Sequence, residues 1–235
     1  MDTRRAGRLH VLTSGRKVRK AFARSTTALL SMVVLASCAS GEPEAKIEHL
    51  CTVGAASEEE ALLRGILRAD GFETDVFHRT NRVVESLERD LRAIGSDKKT
   101  FSTSLCAYGP TPRAGVERAR FEAGWVPRTS KDAEPSMADG GRFDANGAFG
   151  ESNYFLTNLF VRCDMPGDLA EPSKAAWLYA EASYTVNIGR TDIDQAAKDR
   201  QTALTYLMAR RVTDALGCEN EPLAKPPVVK PLPAP

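Results

Sequence analysis

The sequence predicts an α+β domain in which an antiparallel sheet of about four strands carries three helices on one face and is held by two disulfides. In three segments the apolar residues recur with the spacing of a helix, and four other segments have the alternation or the aromatic and β-branched content of strands. The two kinds of segment occur in separate runs along the chain. This order favours helices packed against one face of an antiparallel sheet.

The three helices are predicted where the apolar residues keep a 3.6-residue period. A glycine stands at the end of the first two segments and directly after the third, and glycine is the residue that most easily ends a helix in the left-handed conformation. Capping-box spacing marks the beginning of the first and the last helix. The predicted helices span 57–71, 75–95 and 192–216, the glycines are Gly71, Gly95 and Gly217, and the capping pairs are Ser57 with Glu60 and Thr191 with Asp194.

The four strands are predicted at 101–108, 117–125, 153–163 and 175–189. The segment 127–152, which lies between the second and the third strand, is rich in Gly, Asp, Ser and Pro and has no periodicity. Loops of this length are usually functional or disordered. We therefore expect a long mobile loop there, and the residues in it that a partner would grip are Arg142, Phe143 and Phe149.

The amino-terminal region has the pattern of an export signal. Its first 24 residues contain eight Lys and Arg and one acid, and an apolar run follows at 28–36. This run is shorter than the about 20 residues that a membrane-spanning helix needs, but it suits a secretory signal. The run ends in Leu35-Ala36-Ser37-Cys38, after which the chain becomes polar.

This arrangement resembles the lipobox signal peptide of bacterial lipoproteins, and the overall layout resembles the uncharacterised envelope lipoproteins of high-GC Gram-positive actinobacteria. The resemblance implies that residues 1–37 are removed and that Cys38 carries a diacylglyceryl group. Two acyl chains on one residue anchor a protein stably without spanning the membrane. The resemblance thus implies attachment to the extracytoplasmic face of the cell membrane. The polar residues 38–47 are predicted to form a tether, and the patterned residues 48–220 are long enough for a single domain. A plain secretory signal, an uncleaved anchor and export by a twin-arginine route are the alternatives.

Four further cysteines, Cys51, Cys106, Cys163 and Cys218, are spread over the predicted domain. An even number of cysteines in an exported domain predicts two disulfides. Of the three pairings we favour Cys51 with Cys106 and Cys163 with Cys218, because each then joins a helical stretch to a strand. Crossed pairing and four free thiols are the alternatives. With two disulfides, no thiol is left for nucleophilic catalysis.

The net charge of the chain after residue 37 argues against nucleic acid as a partner. Removal of residues 1–37 leaves a net charge of about −6, because eight of the 32 Lys and Arg but only one of the 31 Asp and Glu lie there. No basic field then remains to attract nucleic acid.

Residues 221–235 contain six of the 13 prolines and are predicted to form a polyproline-like tail.

The sequence after residue 37 contains none of the catalytic motifs that we sought. Its two histidines, His49 and His78, have no ligand cluster of zinc spacing, and there is no Gly-x-Ser-x-Gly, His-Glu-x-x-His or phosphate-binding glycine loop. A turn explains Asp144-Ala145-Asn146-Gly147 as well as a calcium loop does. We therefore expect no cofactor, no metal and no catalysis.

The predicted function is a binding or accessory module at the cell envelope. The lipid anchor would hold the protein at the membrane, and an envelope protein or polymer would be its partner. One alternative is a hydrolase of envelope polymers that uses paired carboxylates, for which two acids must lie on opposite sides of a cleft. A structural spacer is the other alternative, and the well-patterned core disfavours it.

Overall fold

A computed structural model describes residues 49–112, 117–134, 136–137, 139–190 and 192–233 of the 235-residue chain. The predicted signal peptide 1–37, the lipidation site Cys38 and the tether 38–47 lie outside the described residues. Each helix within the described ranges is too short or too polar to cross a membrane.

One antiparallel sheet of eight strands forms the centre of the described structure, in the order β1-β2-β3-β7-β6-β5-β4-β8. The longest pairing joins β3 to β7 in the middle of the sheet. The strands are β1 Phe72–Val76, β2 Thr103–Pro110, β3 Ala119–Pro127, β4 Gly141–Ala145, β5 Ala148–Ser152, β6 Leu156–Val161, β7 Ala176–Tyr184 and β8 Val229–Pro231.

Four α-helices are present in the described residues, namely α1 Glu58–Leu67, α2 Thr80–Arg92, α3 Ala170–Lys174 and α4 Gln195–Leu216. The apolar residues of α1, α2 and α4 form one core with the same face of the sheet. The predicted α+β class and the single antiparallel sheet are therefore confirmed. The predicted numbers are wrong, because the sheet has eight strands rather than about four and the helices number four rather than three.

The helix termini follow from local side-chain chemistry. The hydroxyl of Ser57 accepts a hydrogen bond from the backbone N–H of Glu60 at 3.2 Å, as the capping box predicts. Gly217 has a φ of 69° and ends α4 at the predicted glycine. The beginning of α4 differs from the prediction, since Asp194 caps it by accepting a hydrogen bond from the N–H of Ala197 at 2.8 Å.

β1 occupies a segment where we predicted a loop and the first residues of the second helix. Its five residues pair with β2 from Phe72 opposite Pro110 to Val76 opposite Cys106. The helical spacing of apolar residues from Val76 onward is real, but α2 begins only at Thr80. Pairing with a strand that is distant in sequence decides the conformation here, and the local pattern does not reveal it.

The long loop predicted at 127–152 is wrong, because β4 and β5 form a hairpin within it. Asn146 and Gly147 make its two-residue turn with positive φ angles of 55° and 90°. A type I′ turn requires this conformation at both positions, and Asn-Gly is the dipeptide that adopts it best. The Asn-Gly pair was therefore the sequence signal that identifies the hairpin.

Within the predicted polyproline-like tail 221–235, the described residues 221–233 include a β-strand. β8 pairs with β4 at the edge of the sheet, with Val229 opposite Ala145 and Pro231 opposite Phe143. An edge strand tolerates proline because one of its sides makes no ladder hydrogen bonds. Leu223 is buried against the core.

Two disulfides join Cys51 to Cys106 and Cys163 to Cys218, with Cα–Cα distances of 6.0 and 5.0 Å. The predicted pair of disulfides is confirmed, in the pairing that the sequence favoured. The first ties the residues before α1 to β2, and the second ties the end of β6 to the end of α4.

Large aromatic side chains fill the core between the helices and the sheet. Trp125 and Tyr184 are fully buried there, and the Trp125 indole N–H donates to the carbonyl of Leu87 in α2 at 2.9 Å. Trp177 and Tyr179 lie on the opposite face of the sheet, in a smaller apolar cluster. This second face carries the candidate site.

Candidate functional site

The face of the sheet opposite α1, α2 and α4 carries a row of polar side chains that crosses six strands. Successive side chains of a strand point to opposite faces, and the neighbours Phe121 and Ala182 belong to the core on the helix side. The row therefore points away from the helices. The strand register aligns Ser104 with Glu122, Glu122 with Glu181, Glu181 with Asn158, Asn158 with Glu151, and Glu151 with Arg142. We call these six residues the polar row.

Glu122 has its polar partners on its own strand and on the β2 side of it. The hydroxyls of Ser102 and Ser104 both donate to its carboxylate, the second at 3.1 Å. Arg120 forms an ion pair with Glu122 at 3.0 Å and also donates to Ser104 at 2.8 Å. The charge of this carboxylate is thus balanced within its own part of the sheet.

Glu181 lies directly opposite Glu122 in a different environment. Burial raises the pKa of the Glu181 carboxyl above its ordinary value, the positive charge of Lys99 opposes this effect, and the charge of Glu122 adds to it. The ammonium of Lys99 is 5.2 Å from the centre of the Tyr179 ring. Burial also raises the pKa of Tyr179 to about 12, so its phenol stays neutral and donates to the carbonyl of Thr100 at 3.3 Å.

The next acid in the row, Glu151, is buried beneath the segment that follows β3. It accepts a hydrogen bond from the backbone N–H of Met137 at 2.8 Å and a longer one from Asn158 at 3.4 Å. A cavity of about 30 Å³ lies between Asn158, Glu181 and Tyr179. This volume suits an ordered water and is too small for a substrate.

A much larger cavity, a groove of about 470 Å³, lies between α2 and the segment 93–103. We call it the α2 groove. The Thr103 hydroxyl donates to the Ser86 hydroxyl at 3.2 Å, and Arg89 donates to Ser86 at 2.8 Å and to Asp90 at 3.2 Å. The hydrogen bonds give one wall of the groove a defined arrangement. Its volume is within the range of about 300 to 1,000 Å³ that is usual for ligand sites.

The other wall of the α2 groove is anchored to β3 and to the residues after it. Thr100 exchanges two hydrogen bonds with the backbone of Trp125, at 2.8 and 2.9 Å. The backbone N–H of Lys99 donates to Asp132 at 3.1 Å. Two further hydrogen bonds, at 3.0 and 2.8 Å, run from Thr129 to the carbonyl of Ser96 and from Ser130 to the carbonyl of Asp97. The groove is therefore formed before any ligand binds.

Phe101 lies in the lining of the α2 groove and is 95% exposed. Covering a side chain of this kind stabilises a complex by about 1.5 to 3 kcal/mol. Its neighbour Ser102 lines the groove and also donates to Glu122. The segment that carries Phe101 thus lies between the groove and the polar row.

The structure separates the three residues predicted to grip a partner. Arg142 is in the polar row, and Phe149 lies on the same face, where its ring stacks on Phe160 with the centres 5.1 Å apart. Phe143 points to the other face and is only 4% exposed, so a partner cannot reach it. The alternation of sides along β4 is the physical reason, and a loop prediction could not include it.

The two histidines are not part of the polar row. His49 and His78 line a shallow cleft together with Val76, Phe77 and Arg79. In the described part of the chain, three or more His, Cys, Asp or Glu side chains nowhere come together in a way that would hold a metal ion.

Sequence reasoning missed the α2 groove. We assigned Phe101 to the first position of a strand, where an aromatic residue is ordinary. The strand begins two residues later, at Thr103. The pair Lys98 and Lys99, separated from Phe101 by Thr100, was the available signal, since two adjacent lysines indicate a solvated segment.

Set against known protein families, curated proteins and solved structures, the chain matches none of them. The function is therefore inferred from the α2 groove and the polar row.

Proposed function

We propose that this protein is a lipid-anchored extracytoplasmic binding module that holds a component of the cell envelope in the α2 groove. The observation that carries the proposal is the 95% exposure of Phe101 in a groove of about 470 Å³. Both walls of the groove are hydrogen-bonded in place, which reduces the entropy that binding must offset. An exposed aromatic residue in a preformed groove is a suitable anchor for a ligand.

The proposed anchor is tested at Cys38. In the producing bacterium, the Cys38→Ala variant should leave the detergent phase and appear as a full-length or secreted form. The Ser40→Ala variant, which changes the predicted tether and not the lipobox, should partition like the wild type. A Cys38→Ala protein that stays in the detergent phase would show that the chain is not held by a lipid on this residue.

The proposed groove is tested with Phe101→Ala in the full chain. Binding to purified cell-envelope material should weaken by about tenfold or more, which corresponds to about 1.4 kcal/mol. Ile188→Ala is the matched control, because this side chain is 66% exposed and follows the end of β7 that is far from Thr100. The free energy of unfolding should be unchanged in both variants. Equal binding by Phe101→Ala and the wild type would contradict the proposal.

A hydrolase with paired carboxylates is the second candidate, and the Glu122–Glu181 pair is the observation that favours it. The two acids are neighbours, but Glu122 is ion-paired and Glu181 has a raised pKa. Such a difference is typical of acid and base pairs in enzymes. The small cavity beside Glu181 is unfavourable to this candidate. Release of reducing ends from envelope polymers, abolished by both Glu122→Gln and Glu181→Gln, would support the hydrolase.

A further inference from the structure

The charge of the α2 groove differs from that of the chain around it. The charged residues that line it in the described structure are Arg89, Asp90, Lys98 and Lys99. Asp90 is paired with Arg89 at 3.2 Å and is largely covered, whereas the Arg89 side chain is 71% exposed. The lining therefore has an excess of positive charge, although the chain after residue 37 has a net charge of about −6. A local field of this sign attracts anionic ligands.

The charges of the two lysines lie in different places. Lys98 is exposed, and no ion pair of its side chain occurs within the described ranges. The ammonium of Lys99 lies on the side of Tyr179 and Glu181. The cations that the groove itself presents are therefore Lys98 and Arg89.

Hydroxyl groups and an aromatic ring complete the lining. Ser86, Ser102 and Thr103 bring side-chain hydroxyls to the groove, and Phe101 brings an uncovered ring. Sugar hydroxyls exchange hydrogen bonds with groups of this kind, and the C–H face of a sugar ring packs on an aromatic ring. These contacts suit a saccharide.

An extended peptide finds less to bind in the α2 groove. Peptides that bind in this conformation usually add a strand to a free sheet edge. β2, the strand that leads out of the groove, is paired with β3 on one side, and on the other β1 covers it from Cys106 to Pro110. The stretch of β2 beyond β1 that reaches the groove is short, so the groove offers a peptide mainly side-chain contacts.

We infer that the ligand of the α2 groove is an acidic saccharide, a segment of a polymer that carries carboxylate or phosphate groups. Lys98 and Arg89 face its charges, and Phe101 packs against a sugar ring. The inference rests on the proposed binding function and names the class of ligand for it.

The experiment uses the full chain purified in detergent and oligogalacturonate as the acidic saccharide, with binding measured by calorimetry. The wild type should bind, and the affinity should fall as salt is added. Phe101→Ala and Lys98→Glu should each weaken binding by about tenfold or more. Lys225→Glu is the matched charge reversal, since this exposed lysine belongs to the segment that precedes β8 at the other edge of the sheet, and it should bind like the wild type.

Two further probes separate the ligand classes. Dextran, a neutral saccharide, should bind far more weakly than oligogalacturonate, and equal binding would overturn the anionic part of the inference. Poly-L-glutamate should also bind more weakly, and its binding should not depend on Phe101. Equal, Phe101-dependent binding of poly-L-glutamate would overturn the saccharide part.

The inference and the proposed function fail in different ways. If binding to envelope material depends on Phe101 but oligogalacturonate neither binds nor competes, the groove binds something other than an acidic saccharide and the inference is overturned. If binding to envelope material does not depend on Phe101, the proposed function of the groove fails as well.

Discussion

Glu122 on β3 lies directly opposite Glu181 on β7, and the two carboxylates have unlike partners. Glu122 is ion-paired with Arg120 and accepts hydrogen bonds from two serines. Glu181 is half-buried, and the nearby positive charge that acts on it is that of Lys99. The second glutamate is therefore placed where its ionised form is disfavoured.

This relationship predicts how stability depends on pH. Burial raises the pKa of folded Glu181 above its ordinary value of 4.5. Above pH 4.5 the folded state then binds more protons than the unfolded state does, so the contribution of Glu181 to stability decreases as the pH rises through this window. Glu181→Gln should abolish that decrease and raise the free energy of unfolding at neutral pH.

Urea unfolding at several pH values between about 4 and 7 measures the effect. Glu134→Gln, at an exposed position after β3, is the control and should follow the wild type. If Glu181→Gln kept the pH dependence of the wild type, or were less stable at neutral pH, the raised pKa would be refuted.

The two disulfides should contribute similarly to stability. Each joins cysteines that are 55 residues apart, and the chain-entropy model assigns about 4 kcal/mol to a loop of that length. The double variants Cys51→Ser with Cys106→Ser and Cys163→Ser with Cys218→Ser should therefore lose comparable free energies of unfolding.

Denaturant unfolding without reductant measures this loss, and the reduced wild type shows the effect of losing both disulfides without changing a side chain. A double variant as stable as the oxidised wild type would mean that its disulfide does not form.

Trp125 connects the core to both walls of the α2 groove. Its indole N–H donates to Leu87 in α2, and its backbone exchanges hydrogen bonds with Thr100. Trp125→Phe removes the indole hydrogen bond and leaves a small void, which should cost about 1 to 3 kcal/mol of stability. It should also weaken ligand binding, because α2 is then held less firmly.

Trp177→Phe is the matched control for this variant. Trp177 is only partly buried, on the opposite face, where Arg128 covers its ring at 4.2 Å. Its replacement should cost less stability and leave binding unchanged. Chemical unfolding and ligand titration measure the two effects, and equal losses in both variants would contradict the role of Trp125.

β8 should protect the edge of the sheet. Deletion of residues 227–235 removes β8 and uncovers β4, whose backbone then offers unpaired groups to another chain. We expect a loss of about 1 to 2 kcal/mol, on the scale of a few net hydrogen bonds, and association at high concentration.

Size-exclusion chromatography and denaturant unfolding test this prediction. Pro231→Ala keeps the strand and should behave like the wild type. A truncated protein that remains monomeric and equally stable would show that β8 contributes nothing to the edge.

The sequence by itself determined the features that depend on residues close together in the chain. The capping of α1 by Ser57, the end of α4 at Gly217 and the α+β class all follow from side chains within a few residues of one another. The export context predicted the two disulfides, and their pairing was favoured by which segments they join.

The tertiary structure alone decided the features that depend on register between distant segments. The polar row exists because six strands align, from Ser104 to Glu151 and Arg142, and no local pattern encodes that alignment. The same applies to β1 and β8, whose backbone hydrogen bonds are made with strands far along the chain. Backbone groups must find partners wherever they are buried, so long-range pairing overrides weak local preference.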